Sequence, residues 1–349
     1  MSRLYVLSVL SALSAVSFAA PKPQNWNTID WSHIGVDWKT VNYGGQPATV
    51  ATTPAQVQVT TVAAVVPTTP LTSSSVVPHS TSSPSPSPSP KPDSSSGSSS
   101  SPSGGKRGLA YNPSSPPLDI FSSFSSIGWG WDWDSARASL PSQYEFVPML
   151  WEPSRADKFD SDLKTSPASY LLSFNEPDIP SQANMNVASA VAGHIQHMNK
   201  HASDSVKIGA VSVSNGASQD PNAPMGLDYL KAFLDQCASS LPSCVVDFCP
   251  VHWYGCPTSS PCSVDDDFKA FQTAMTNAIS TCNGKPVWIT EFQKIGSQDE
   301  QTQFVKQAID WLEQPAQAKI ERYSYFMVQD GILTSGNSLS STGTAYASA

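Results

Sequence analysis

Two glutamates in this chain sit where a carboxylate is costly unless chemistry uses it. Residues 171–180 read LLSFNEPDIP, an apolar run that ends in Asn175-Glu176-Pro177-Asp178. Residues 286–292 read PVWITEF, a second apolar run with Glu291 near its end. Unbroken apolar runs of this length are the pattern of strands buried on both faces, as in a parallel sheet. Two carboxyls brought to one cleft from such strand ends suit glycoside hydrolysis. One protonates the leaving oxygen; the other attacks the sugar or activates water, against an oxocarbenium-like transition state. GxGxxG, Walker-type and GxSxG patterns, which would point to a dinucleotide, a nucleotide phosphate or a serine nucleophile, are absent from the sequence. No cofactor is expected.

Those strand ends need a frame. From Lys106 onward eight apolar runs recur: RGLAYN (107–112), IGWGWDW (127–133), EFVPMLW (145–151), YLLSFNE (170–176), KIGAVSVSN (207–215), VDFCPVHWYG (246–255), PVWITEF (286–292) and RYSYFMV (322–328). Helix-period stretches lie between several of them. Residues 187–203 place Val187, Val191, Ile195 and Met198 on one face, and 301–312 do the same with Phe304, Ala308 and Trp311. Eight strand–helix alternations in about 250 residues are the count of a (β/α)8 TIM barrel. In that fold the reactive groups sit at the C-terminal strand ends, where Glu176 and Glu291 stand. The expected fold is therefore α/β, a barrel over 106–349.

The other strand ends supply candidates for holding a sugar. Strand alternation sends His252 and Tyr254 to one side and Trp253 to the other, with Tyr254 in reach of Glu291. Trp129, Trp131, Trp133 and Trp151 crowd the ends of the second and third runs, as stacking platforms for sugar rings or as filling for the barrel. Trp151 is favoured as a platform. Asn112, ending the first run, and Asn175, beside Glu176, are expected to contact substrate. If Glu176 is the carboxyl that keeps its proton near neutrality, its pKa must be raised, and an ionised Glu291 is the expected agent. Pro177 is expected to end the strand and set the turn that aims Glu176 inward.

The stretches KRGLAYN, LLSFNEPD, VDFCPVHWYG and PVWITEF resemble glycoside hydrolase family 128, a family of secreted endo-β-1,3-glucanases of the large barrel clan. The resemblance spans 106–349. It implies that Glu176 is the acid/base, that Glu291 is the nucleophile and that anomeric configuration is retained. A carboxyl separation of about 5–5.5 Å would agree, and about 6.5 Å or more would point to inversion. The eighth run reads YSYF where the family leads one to expect tryptophan. The pair does not encode the linkage, so a β-1,4 glycan remains a rival substrate, and a non-catalytic glucan-binding wall protein a rival function.

Two patterns are discounted as sites. His194, His197 and His201 share a helix face at metal-like spacing but lie far from the strand ends, so no metal is expected. Asp265-Asp266-Asp267, after Ser263, read as a helix start.

Charge and composition fit a neutral polymer as partner. The net charge of −9 argues against nucleic acid and against an anionic membrane surface. Residues 1–19 read as a signal peptide with Arg3 in its basic region, and no later apolar run reaches the length of a membrane span. Secretion, to the medium or cell wall, follows. Residues 20–45 carry Trp26, Trp31, Trp38 and Tyr43, either as a small glycan-binding element or as a segment that docks on the main domain. Residues 46–105 are a disordered Ser/Thr/Pro-rich stalk by composition. The six cysteines, all between 237 and 282, suit disulfides in an exported chain, with Cys237–Cys244 and Cys256–Cys262 as candidate local pairs. Lys106-Arg107 is either a dibasic processing site or the edge of the first strand. With no long apolar heptads, a monomer is expected.

Overall fold

A computed structural model of the protein describes residues 105–349. The expected leader at 1–19, the aromatic segment at 20–45 and the stalk at 46–105, save its last residue, lie outside them.

The eight apolar runs all contain strands: β1 (Arg107–Ala110), β2 (Ile127–Trp131), β3 (Glu145–Phe146), β4 (Tyr170–Leu171), β5 (Lys207–Ile208), β6 (Cys249–Tyr254), β7 (Val287–Gln293) and β8 (Ile320–Tyr325). The architecture is α/β with a parallel central sheet. Six strands pair in the order β3-β2-β1-β8-β7-β6, and β4 pairs with β5. Parallel bridges Met149↔Leu172, Gly209↔Phe248 and Val213↔Val251 join these two groups. A small antiparallel pair, β9 (Thr334–Ser335) and β10 (Ser338–Leu339), follows β8.

Helices α1 (Ala156–Thr165), α2 (Val187–His197), α3 (Gly226–Ser239), α4 (Val264–Thr281) and α5 (Gln298–Leu312) each bridge two successive strands, and α6 (Ser341–Ser348) closes the chain. The helix expected over 187–203 stops at His197 and continues as a short 3-10 turn at Asn199–His201. The β1–β2 link holds only the 3-10 turn Leu118–Phe121, which explains why no helix period is visible there. Among the described residues no helix is long and apolar enough to cross a membrane.

Side chains from the helices and the sheet face they cover form the main core. A second cluster, with Trp129, Trp131, Trp133, Met149, Leu172, Phe248 and Trp288, fills the other face. There Arg322, 1% exposed, lies over Tyr170 and Trp288 at 4.3 and 4.4 Å, so cation–π contacts accompany a buried guanidinium. The three disulfides join Cys237–Cys244, Cys249–Cys282 and Cys256–Cys262.

Lys106 and Arg107 tie the two ends of the domain together. The Lys106 ammonium donates to Leu312 O at 2.9 Å. Arg107, 3% exposed, donates to Tyr323 Oη (2.8 Å), Tyr346 O (2.9 Å) and Ala349 O. A dibasic cut after Arg107 would sever β1, so the folded domain does not offer that bond. Arg107→Ala strands two buried acceptors, Tyr323 Oη and Tyr346 O, and removes a buried cation that binds both ends of the domain, and is expected to cost about 3–5 kcal/mol. In a domain of this size that lowers the thermal midpoint by roughly 6–20 °C, read by calorimetry.

Candidate active site

Glu176 is aimed by an unusual backbone. The chain leaves β4 through the bridge Asn175↔Ser212, and the Glu176 N–H donates to Ser212 O at 2.7 Å. Glu176 itself has φ +40°, a left-handed conformation that is uncommon without glycine or asparagine and costs on the order of 1–2 kcal/mol. Asp178 locks the turn. Its carboxylate accepts hydrogen bonds from Ser214 N (3.3 Å), Ser214 Oγ (2.6 Å) and Gly226 N (2.8 Å), tying the turn to the segment that follows β5 and to the start of α3. The turn that was attributed to Pro177 is thus held largely by Asp178.

Glu291 comes from β7, where His252 of β6 is its register partner. Three side chains face its carboxylate. Trp133 Nε1 donates at 2.8 Å, Tyr254 Oη donates to the other oxygen, and His252 Nε2 stands 3.4 Å away. His252 also reaches Glu176 through Nδ1 at 2.9 Å, so one imidazole lies between both carboxyls. An oxygen of Glu176, an oxygen of Glu291 and a His252 nitrogen all fall within 4.8 Å of one another.

The two carboxyls differ in what surrounds them. Burial, with Asp178 as a second cause, raises the Glu176 pKa to about 8. The expectation that Glu291 is the agent is corrected here: removal from water leads and Asp178 follows. Burial also raises Glu291, opposed by His252 and by the hydrogen bonds from Tyr254 and Trp133. The donor-rich carboxyl is the better seat for negative charge, and the donor-poor one for the proton. Burial lowers the His252 pKa, which favours the neutral ring. A neutral ring can take the Glu176 proton's hydrogen bond at Nδ1 and turn Nε2–H toward Glu291.

A cleft of about 470 Å³ opens above the pair, lined by Asn112, Trp133, Asn175, Tyr254 and Phe326 among others. Among the described residues the only charged ones lining it are Glu176 and Glu291. A second cavity, about 360 Å³, opens between α3 and α4 and has Asp228 as its one carboxylate, so paired-carboxyl chemistry belongs to the first.

Several expected contacts are placed differently. Trp129 and Trp131 are 1% and 0% exposed and fill the second cluster; their indole N–H groups donate to Lys106 O and Ser324 Oγ. His252, with no exposed side-chain surface, sits behind the carboxyls and does not reach the cleft. Trp151 packs against the second cluster with Arg155 at 4.9 Å from its ring and does not line the cleft. Asn112 lines it, its Oδ1 accepting from Ser114 N at 2.9 Å. Asn175 Nδ2 donates to Gln182 Oε1 at 3.3 Å, leaving its buried Oδ1 unpartnered. Where tryptophan was looked for, Phe326 stands beside Trp133 and Tyr254, with ring centroids 5.6 and 5.4 Å away. His194 and His201 do not converge: the first bonds Ser173 Oγ and Val245 O, the second Asp160.

Comparison with known proteins places the chain in a family. A family model described as glycosyl hydrolase catalytic core matches residues 108–346. A family 128, subgroup III, curdlan-specific exo-β-1,3-glucanase from Blastomyces gilchristii, solved with glucose, is 36% identical. The match covers 71% of this chain and all of that one, with a TM-score of 0.59. The chain belongs to glycoside hydrolase family 128. It is a glycosidase. A second family 128 member, a subgroup I endo-β-1,3-glucanase variant from Amycolatopsis mediterranei solved with laminaritriose and laminaribiose, is 25% identical. There 71% of this chain and 99% of that chain align, with a TM-score of 0.55. A curated relative, alkali-sensitive linkage protein 1 of Schizosaccharomyces pombe, is 26% identical over 266 residues. That match takes in 70% of this chain but 44% of the relative, so the chain spans less than half of that protein's length.

Proposed function

We propose that this family 128 glycosidase is a secreted, retaining endo-β-1,3-glucanase, and that its eight strands close into a (β/α)8 barrel. The asymmetry of the carboxyl pair carries the reading: Glu291 has Trp133 and Tyr254 as donors, while among the described residues Glu176 has only His252 at hydrogen-bond distance. Glu176, protonated, gives its proton to the leaving oxygen as Glu291 attacks the anomeric carbon. Glu176, now a base, then takes a proton from the water that releases the sugar. One oxygen of each carboxyl within 4.8 Å of the other supports the close spacing of a double displacement. Asn175 Oδ1, buried and unpartnered, is suited to accept from the hydroxyl beside the reacting carbon. Parallel bridges between the two strand groups support barrel closure. Three disulfides support passage through an oxidising compartment on the way to the medium or wall.

Both named solved relatives act on β-1,3-glucans, one exo and one endo. Product analysis by mass and NMR, on linear β-1,3-glucan, a β-1,4-glucan and a β-1,4-mannan in parallel, tests the reading. A ladder of β-configured oligosaccharides from the first alone is the expected result. Glucose alone would replace endo by exo action, and α-configured first products would overturn retention.

A further inference from the structure

A buried ion pair beside the cleft has no part in the chemistry above. Lys294, 0% exposed, follows β7 and meets Asp267 of α4, 1% exposed, at 2.9 Å. Isolated buried pairs stabilise poorly against apolar replacements, and their best-attested use is to fix a register. Here the pair grips a loop at both ends. Asp267 Oδ1 accepts from Cys256 N at 3.0 Å, and Lys294 Nζ donates to Cys262 O at 3.2 Å and Ile295 O at 2.9 Å. The Cys256–Cys262 disulfide closes the same loop. Gly255, just before it, donates to Gln293 O at 2.9 Å, and a Cβ there would stand 2.8 Å from the Asp267 carboxylate. The loop is thus tied at both ends beside the site. Its Gly255, Pro257, Thr258 and Ser259 line the cleft, with the Thr258 and Ser259 side chains exposed.

We propose that the 255–262 loop is a wall that binds sugar units beyond the scissile bond and selects for chain length. Asp267, Lys294 and the Cys256–Cys262 bridge act as its positioning groups. Hydroxyls at a fixed edge can hydrogen-bond successive sugars without the ordering cost that a free loop would bring. Asp267 is therefore more than a helix-start carboxylate; the other two aspartates, exposed, keep that role.

The inference rests on the β-glucan reading, so its test separates the two. Laminaritriose and laminarihexaose are titrated calorimetrically into the full chain carrying Glu291→Gln, which stops turnover. The same titrations are made with Cys256→Ser/Cys262→Ser added, and separately with Thr258→Ala/Ser259→Ala, a surface pair that does not threaten folding. The expected result is that Kd for the hexaose rises about tenfold in each, while Kd for the triose moves less than about twofold. A merely structural role would weaken both sugars alike, which overturns the proposal, as does unchanged hexaose binding in both variants. If the parent binds neither sugar, the glucan reading falls and takes this inference with it.

Discussion

Glu291→Gln is expected to abolish hydrolysis, lowering kcat by on the order of 10⁴-fold or more, while the domain stays folded. The amide is nearly the shape of the carboxylate and can still accept from Trp133 Nε1, but it is no nucleophile. Removing a buried charge also leaves less to compensate in the interior, so the thermal midpoint should hold or rise. Glu176→Gln behaves differently. With an ordinary sugar leaving group it is expected to lose about 10²–10⁴-fold, the range of a general acid. With a dinitrophenolate leaving group, which departs without a proton, its first step survives and only the water step slows. A burst of phenolate followed by a slow phase is the signature. No burst from Glu291→Gln and a burst from Glu176→Gln assign the two roles. Reversed behaviour would exchange them, and full activity in either variant would remove that residue from the site.

The sequence exposed those two residues because each ends an apolar run, and a local pattern suffices to see that. It also gave the strand positions, since buried parallel strands are continuous in apolar character. Tyr254 was legible through alternation along one strand. Trp133 was not visible as a carboxylate donor. Its contact with Glu291 joins residues 158 positions apart and depends on a φ of 57° at Trp133, which no neighbouring residue advertises. The same limit applies to Asp178 and Asp267, whose partners are backbone groups, a serine hydroxyl and a lysine distant in the sequence. Trp129 and Trp131 show the converse case. An aromatic at a strand end reads equally as platform or filling, and only packing against Arg322, Trp288 and Ser324 decides. His252 was expected to touch substrate because strand alternation puts it on the same side as Tyr254; zero side-chain exposure makes it a bridge between carboxyls instead.

The alkaline limb of the pH profile should lie near the Glu176 value of about 8. Glu176 must carry its proton when the leaving oxygen departs, so kcat/KM is expected to be full below that value and to fall as pH rises through it. The shift matters to rate. At pH 7 a group at about 8 is about nine-tenths protonated, whereas one at its ordinary 4.5 would be protonated in about one molecule in 300. Burial leads the shift and cannot be removed without breaking the site, but its second cause can. Asp178→Asn can keep one oxygen toward Ser214 Oγ and Gly226 N, gives up only the long 3.3 Å bond from Ser214 N, and deletes the negative charge, so the limb is expected to move to lower pH. The other groups facing Glu176 are unchanged by this substitution: His252 and Tyr254 of β6 and Glu291 of β7. The acid limb, set by ionisation of Glu291, should stay nearly in place, because burial, His252 and Glu176 shift that group and Asp178 is not among its causes. Both limbs are apparent values of a coupled pair, so they are compared between variants and not assigned singly. Rates of glucan hydrolysis at constant ionic strength supply the measurement. A limb that moves up, or both limbs moving together, would mean that Asp178 acts through the shape of the turn and not through its charge.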